Sequence, residues 1–417
     1  MNPSVTLGGS PAKSRVESID LLRGLTILVM LWVNDLASVA GTPAWLRHVS
    51  PPDADGMTLV DVVFPAFLFI VGLSLPVALE RRLAENRLAM VFAHVGVRAA
   101  SLLIIGVYMV NSEHLPSDAP LYRAAWSLLV YLGVILVWLV PRRTDQTRSL
   151  GGVQRWAGIL ILLGAAVWFR IPDTEGWIEL RPHWWGILGL IGWAYLVSSI
   201  VYLLLRQNLA AQTGAIGLLY CVYFADRADF FTAISGIDRV VDLGSMLGSL
   251  PAITLSGAVA GQMLMLSPER SSQLRRISCA LWFGLALATA GLLLHALREI
   301  HSMFIVNKNA ATPVWCLLSS AWTLWAWAGL HFWTDVIGLG GRPRPLADAG
   351  RNALFAFIAG PILYSGLDLL ADLAGGWNLY SNVGGTFAVG FWRSLAFALA
   401  VTWLTGWLWR RGWRLKL

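Results

Sequence analysis

Stretches of about 20 mainly apolar residues recur along this chain, and each is long enough to cross the roughly 30 Å hydrocarbon core of a bilayer as a helix. Twelve such stretches stand out, near residues 20–40, 58–79, 90–110, 122–140, 153–170, 185–205, 209–226, 245–266, 277–297, 313–333, 350–371 and 386–409. A segment of this kind dictates its own secondary structure, because inside a bilayer every backbone N–H and C=O must be satisfied within the protein. The expected fold is therefore all-α, a polytopic transmembrane helical bundle of about 12 helices. Composition points the same way: 57% of the 417 residues are hydrophobic and 13% charged, too few polar groups to cover a water-soluble surface.

Loop charges orient the bundle, since Lys and Arg concentrate on the cytoplasmic side of short loops. With the N-terminus inside, 21 of the 31 basic residues fall in cytoplasmic segments, and every such loop except the shortest carries a basic cluster. Both termini are thus expected in the cytoplasm, and the net charge of +7 is a topology signal. No soluble basic domain is present to bind nucleic acid. Residues 1–16 lack the apolar core and small-residue cleavage site of a signal peptide and read as a disordered cytoplasmic tail, leaving 17–417 as a single transmembrane domain. Only Lys13, Lys308 and Lys416 are lysines, a bias of GC-rich bacterial genomes, so the expected location is a bacterial cytoplasmic membrane. Cys221, Cys279 and Cys316 lie in apolar runs with no CxxC pair; they read as small buried hydrophobes, and no metal site is expected.

Ionisable groups within a span are costly, so they face the protein interior and often mark function. In the first span, Asp20 and Arg23 share a helix face and suit an interfacial ion pair. Asn34 follows Arg23 by eleven residues, close to a whole number of turns, which puts it on the same interior face about 16 Å further out. His48 belongs to the first external loop, and Asp61, about one turn into the second span, comes at a depth similar to Asn34. Asp53 and Asp55 read as solvated loop acids, and Pro65 as a kink in the second helix. Arg98 in the third span, Arg123 at the start of the fourth and the run "FIVNKNAATPVW" before the tenth complete the polar set. Tryptophan-rich tracts such as "HWWGILGLIGWAY" fit an interfacial aromatic belt.

The order of these residues is familiar. "SIDLLRGLTILVMLWVN", a histidine before "GMTLVDVVFPAFLFIVGLS", then "VNKNAATPVW", "AGRNALFAF" and "LWRRGWRLKL" together resemble the heparan-alpha-glucosaminide N-acetyltransferase family and its bacterial relatives. The resemblance covers most of the chain and is strongest over residues 17–75. It implies a ten-helix core with the sixth and seventh spans as an extra pair, and transfer of an acetyl group from cytoplasmic acetyl-CoA to an amino sugar across the membrane. By position in the motif, the family's active-site histidine falls on His48, its asparagine on Asn34 and its second-helix aspartate on Asp61.

An imidazole, which titrates near 6.5, can take a proton from an amine or hydroxyl at neutral pH, or attack the thioester first and carry the acetyl group. Asp61 would fix the tautomer of His48 and the Asn34 amide would donate to the developing oxyanion. The nucleotide of acetyl-CoA belongs at the cytoplasmic face, with Arg23, Arg98, Arg123 and Lys308 as candidate phosphate ligands. The partners expected are the lipid bilayer and a glycan or small-molecule acceptor, with a homodimer compatible and nucleic acid excluded. Two other classes share the layout, a twelve-span secondary transporter and a non-catalytic relative of the fold; acetyl-CoA binding separates both from the enzyme.

Overall fold

The computed structural model describes residues 17–140, 147–170, 179–206, 208–231, 240–266, 272–338, 344–376, 378–383 and 385–417. The expected tail, residues 1–16, lies outside them, as do the loop residues Arg142, Arg143, Arg270 and Arg342. The described residues form a helical bundle: α1 (Glu17–Leu36), α2 (Leu59–Glu85), α3 (Leu88–Ser112), α4 (Pro120–Trp138), α5 (Thr147–Trp168), α6 (Gly186–Leu204) and α7 (Leu209–Arg227). They continue as α8 (Leu243–Leu266), α9 (Gln273–His295), α10 (Pro313–His331), α11 (Arg344–Arg351), α12 (Ala353–Leu373), α13 (Leu379–Asn382) and α14 (Phe387–Arg411). A two-residue antiparallel ribbon, β1 (Leu139–Val140) with β2 (Arg414–Leu415), is the exception to the all-α expectation and ties the C-terminal segment to the end of α4.

Each of the twelve apolar stretches coincides with a helix. Nine helices among the described residues are long and apolar enough to cross a membrane by length and composition. The other three, α1, α7 and α10, are more polar; in α1 the apolar run is interrupted by Glu17, Asp20, Arg23 and Asp35.

The centre of the bundle is the α2–α8 pair. Gly72 of α2 and Gly257 and Gly261 of α8 leave no room for side chains: a β-carbon at Gly72 would overlap the Thr254 carbonyl, and one at Gly257 the Phe69 carbonyl. Small residues let backbones approach where apolar burial alone gives no drive between helices in lipid. Around this pair Trp315 and Trp327 of α10 are fully buried, so part of the tryptophan content is core and not interfacial belt. Of the three cysteines only Cys316 is buried; Cys221 is exposed and Cys279 intermediate, so the expected burial holds for one alone.

α2 runs unbroken from Leu59 to Glu85 with Pro65 and Pro76 inside it. Proline at 65 has no N–H to give the carbonyl four residues back. That carbonyl, Asp61 O, accepts instead from the Trp315 indole at 3.1 Å. The gap left by the proline is thus the point at which α10 grips the N-terminal end of α2.

Candidate active site

The first turn of α2 starts the site. Thr58 is the N-cap and Asp61 the third helical residue, the spacing of a capping box. One oxygen of Asp61, Oδ2, accepts from the Thr58 backbone N–H at 3.1 Å and the Val49 N–H at 3.3 Å. The other, Oδ1, accepts from His48 Nδ1 at 2.6 Å. Thr58 Oγ donates to the Arg47 carbonyl at 2.7 Å, so the chain is fastened to α2 immediately before and after His48. The carboxylate is 3% exposed and the imidazole 52%, which leaves His48 reachable while its partner is sheltered. With Nδ1–H donated to Asp61, Nε2 is the nitrogen that carries the ring's lone pair.

The third member comes from far along the chain. Lys308 Nζ lies 3.1 Å from His48 Nδ1, 3.3 Å from Nε2 and 3.9 Å from Asp61 Oδ1. Its segment is laced onto the first loop: the Asn307 amide donates to the carbonyls of Pro52 at 2.9 Å and Ala54 at 3.1 Å, and the Val306 N–H to Asp55 at 2.8 Å. Burial pushes the Lys308 amine below its ordinary range, opposed by the attraction of Asp61. Asp55 is exposed, as expected of a loop acid, but it is also bonded into this loop. Burial raises it, yet the Val306 N–H and the His295 ring, 2.8 Å away, outweigh that and hold it below the usual carboxylate range.

Asn34 is exposed at the C-terminal end of α1. It shares a helix face with the buried Ile27 and Met30, so it caps an interior seam instead of lying inside it as expected. Its neighbour Asp35, which the sequence did not single out, is the buried group here. It accepts from Tyr364 at 2.6 Å, Tyr380 at 2.8 Å, Ser394 at 2.6 Å and Arg393 at 3.2 Å.

A second polar region occupies the other end of α2. A cavity of about 360 Å³ is lined there by Arg23, Arg82, His94, Arg98, Arg351 and Lys416. Arg23 donates to Ser74 at 2.7 Å and pairs with Asp20 at 3.2 Å, and Arg351 closes on the same Asp20 at 2.9 Å. The expected Asp20–Arg23 pair is thus part of a network that leaves a net positive lining. Arg98 stacks over Tyr195 at 4.7 Å, and its buried Nε has no hydrogen-bond partner among the described residues. Along α2 the cavity is lined from Arg82 up to Phe67. At 1.5 Å per residue, Arg82 is about 31 Å from Asp61 and Phe67 only about 9 Å from it.

Two of the expected phosphate ligands, Arg23 and Arg98, meet in this cavity, and two do not. Arg123 is exposed at the start of α4, at the end of the bundle opposite Arg98, because α3 carries the chain across between them. Lys308 sits beside His48. A charge tally along the sequence cannot separate such cases, since the end a residue reaches depends on which helix it follows. Arg82, Arg351 and Lys416 went unnoticed as loop charges; the i, i+4 spacing of His94 and Arg98 was the one available signal.

Residues 15–235, more than half of the 417, match the model of a family described as Domain of unknown function (DUF5009). The chain belongs to this family. It is also related to two curated acetyltransferases. Heparan-alpha-glucosaminide N-acetyltransferase of Homo sapiens is 32% identical over 173 residues, covering 36% of this chain and 25% of the human protein. The Mus musculus protein of the same name is 32% identical over 196 residues, covering 42% of this chain and 25% of the mouse protein. The chain therefore spans about a quarter of the length of these curated relatives.

Proposed function

We propose that this chain is an integral membrane acetyltransferase that moves the acetyl group of cytoplasmic acetyl-CoA to an amino sugar or sugar hydroxyl on the opposite side of a bacterial cytoplasmic membrane. In this reading residues 17–417 form one domain of twelve spans with both termini in the cytoplasm. The observation that carries it is the layout along α2: an arginine-lined cavity at one end extends to Phe67, about 9 Å along the helix axis from Asp61 of the histidine–aspartate pair at the other.

The residues present suit the donor. Arg23, Arg82, Arg98, Arg351 and Lys416 hold the phosphates, with the unpartnered Nε of Arg98 aimed at an anion. Phe67, Val71 and Leu75 offer an apolar path for the pantetheine arm.

At the outer end His48 acts as general base. Its Nε2 takes the proton of the acceptor amine or hydroxyl as that atom bonds to the thioester carbonyl carbon. Asp61 stabilises the imidazolium that results, and the exposed Asn34 amide donates to the oxyanion. Collapse breaks the carbon–sulfur bond, and His48 returns the proton to the departing thiolate.

Sealed vesicles of known orientation test this reading. Labelled acetyl-CoA on the cytoplasmic side acetylates a glucosamine-type acceptor present only on the other side, with free CoA appearing where the donor was supplied. A transporter moves substrate without releasing CoA. Transfer only when both reactants share one side would discard the proposal.

A further inference from the structure

A second cavity, of about 540 Å³, adjoins the outer site and is lined by His183, Trp184, Asp242, Ser245, Lys308 and Asn309 among others. Its size and its mixture of apolar wall with a few polar groups are those of a small-ligand site. Lys308 joins it to the active site, since the same ammonium group lies 3.3 Å from His48 Nε2.

One wall is strained and firmly held. His183 (φ 47°) and Trp185 (φ 68°) both adopt left-handed backbone, which costs on the order of 1 kcal/mol or more for a side-chain-bearing residue. The end of α3 enforces it. Asn111 exchanges hydrogen bonds with the backbone of Arg181 at 2.7 and 3.2 Å, and the His114 ring stacks on His183 with centroids 3.9 Å apart. The Trp185 indole donates to the Val240 carbonyl at 2.7 Å. Trp184 is left 42% exposed, its indole face available. The facing wall begins with a π-helical turn, Leu243–Ser249, a local widening that recurs at functional sites.

The polar groups are suited to a ligand. His183 Nε2 is buried with no hydrogen-bond partner among the described residues. Burial, then the neighbouring His114 and Arg181, push this imidazole below its ordinary range and keep it neutral at neutral pH. Asn309 spends its NH2 on the Pro52 carbonyl, which leaves its amide oxygen to accept. Asp242 is paired with Arg227 at 3.1 Å yet 40% exposed.

We infer that this cavity is the acceptor subsite and that it takes a hexosamine ring, stacked on Trp184, with hydroxyl and amino groups bonded to His183, Asn309 and Asp242 and the acetylated position directed past Lys308 to His48. A pyranose ring has one apolar face and a polar rim, which matches an indole opposite hydrogen-bonding side chains. The proposal rests on the acetyltransferase reading, but it assigns acceptor selection to His183 and Trp184 before α6 and to Asp242 before α8, residues that flank the extra pair of helices.

Binding can be read without turnover. In a Cys221→Ala, Cys279→Ala background, Val240→Cys at the cavity rim reacts with an impermeant maleimide from the outer side. Glucosamine or its β-1,4-linked disaccharide slows that labelling by about fivefold or more, acetyl-CoA does not, and Trp184→Leu removes the protection. In the transfer assay Trp184→Leu and Asn309→Ala raise the acceptor KM about tenfold with the acetyl-CoA KM unchanged. Labelling indifferent to both sugars, or protection by acetyl-CoA instead, overturns the subsite. Protection without CoA release would retain the subsite and sink the acetyltransferase reading; CoA release without protection would do the reverse.

Discussion

Two aspartates, Asp35 and Asp61, show how the same side chain is put to different uses. Asp35, on α1, is saturated: two tyrosine hydroxyls, a serine hydroxyl and Arg393 surround it, and all of these belong to α12, α13 or α14, or to the turn between helices. Asp61, on α2, is as deeply buried, yet one of its bonds goes to an imidazole that is half open to the outside. A carboxylate saturated by buried and half-buried side chains of neighbouring helices serves to hold those helices together. One that orients a reachable base can take part in chemistry. The difference lies in the exposure of the partner and not of the acid.

The comparison fails most visibly at His48. His48→Ala lowers acetyl transfer by about 10³ to 10⁴ while acetyl-CoA affinity stays within a few-fold, because the arginine-lined cavity lies at the other end of α2. Full activity in this variant would end the assignment.

Asp35→Ala does the opposite. Removing the acid strands Arg393 and three hydroxyls in a buried site, and destabilises the protein by about 3–5 kcal/mol in a denaturation series. The folded fraction should retain its kcat; a large loss of kcat without loss of stability would make Asp35 part of the chemistry.

Arg98→Gln is smaller again. Loss of one charge-assisted bond to the donor raises the acetyl-CoA KM about tenfold or somewhat more, with the acceptor KM unchanged. Arg123→Gln, at the other end, leaves both unchanged.

The smallest effect is the acid lability of the loop that positions Lys308. The Asp55 carboxyl is held below its ordinary 3.8 in the folded protein, so its contribution to stability is present above that value and is lost as pH falls through the lower folded value. Hydrogen exchange at the Val306 amide should accelerate over that acid range in the native chain, whereas in Asp55→Asn the step is absent.

Much of this was legible residue by residue. The positions of twelve helices follow from apolar runs, and the association of His48 with Asp61 from their places in the family motif. The loop acid Asp55, the buried Asp35 and the true place of Lys308 were not. Asp35 stands next to Asn34 in sequence but one position, about 100° around the helix, decides which of them is enclosed. The "HWWG" run reads as an interfacial belt until its backbone is seen clamped by Asn111 and His114 of another helix.

What the sequence determined by itself is the solvent and the secondary structure: long apolar segments leave a helix as the way to satisfy their backbones in lipid, and that is a local requirement. Only the tertiary structure decided which charges meet. Arg23, Arg82, Arg98, Arg351 and Lys416 come from four helices and the C-terminal segment, and Lys308 reaches His48 across 260 residues of chain. Such groupings depend on which helix faces which and in which direction each one runs. Those are set by close approaches such as Gly72 against Thr254, and by bonds such as Trp315 to the Asp61 carbonyl, which join residues that no local pattern connects.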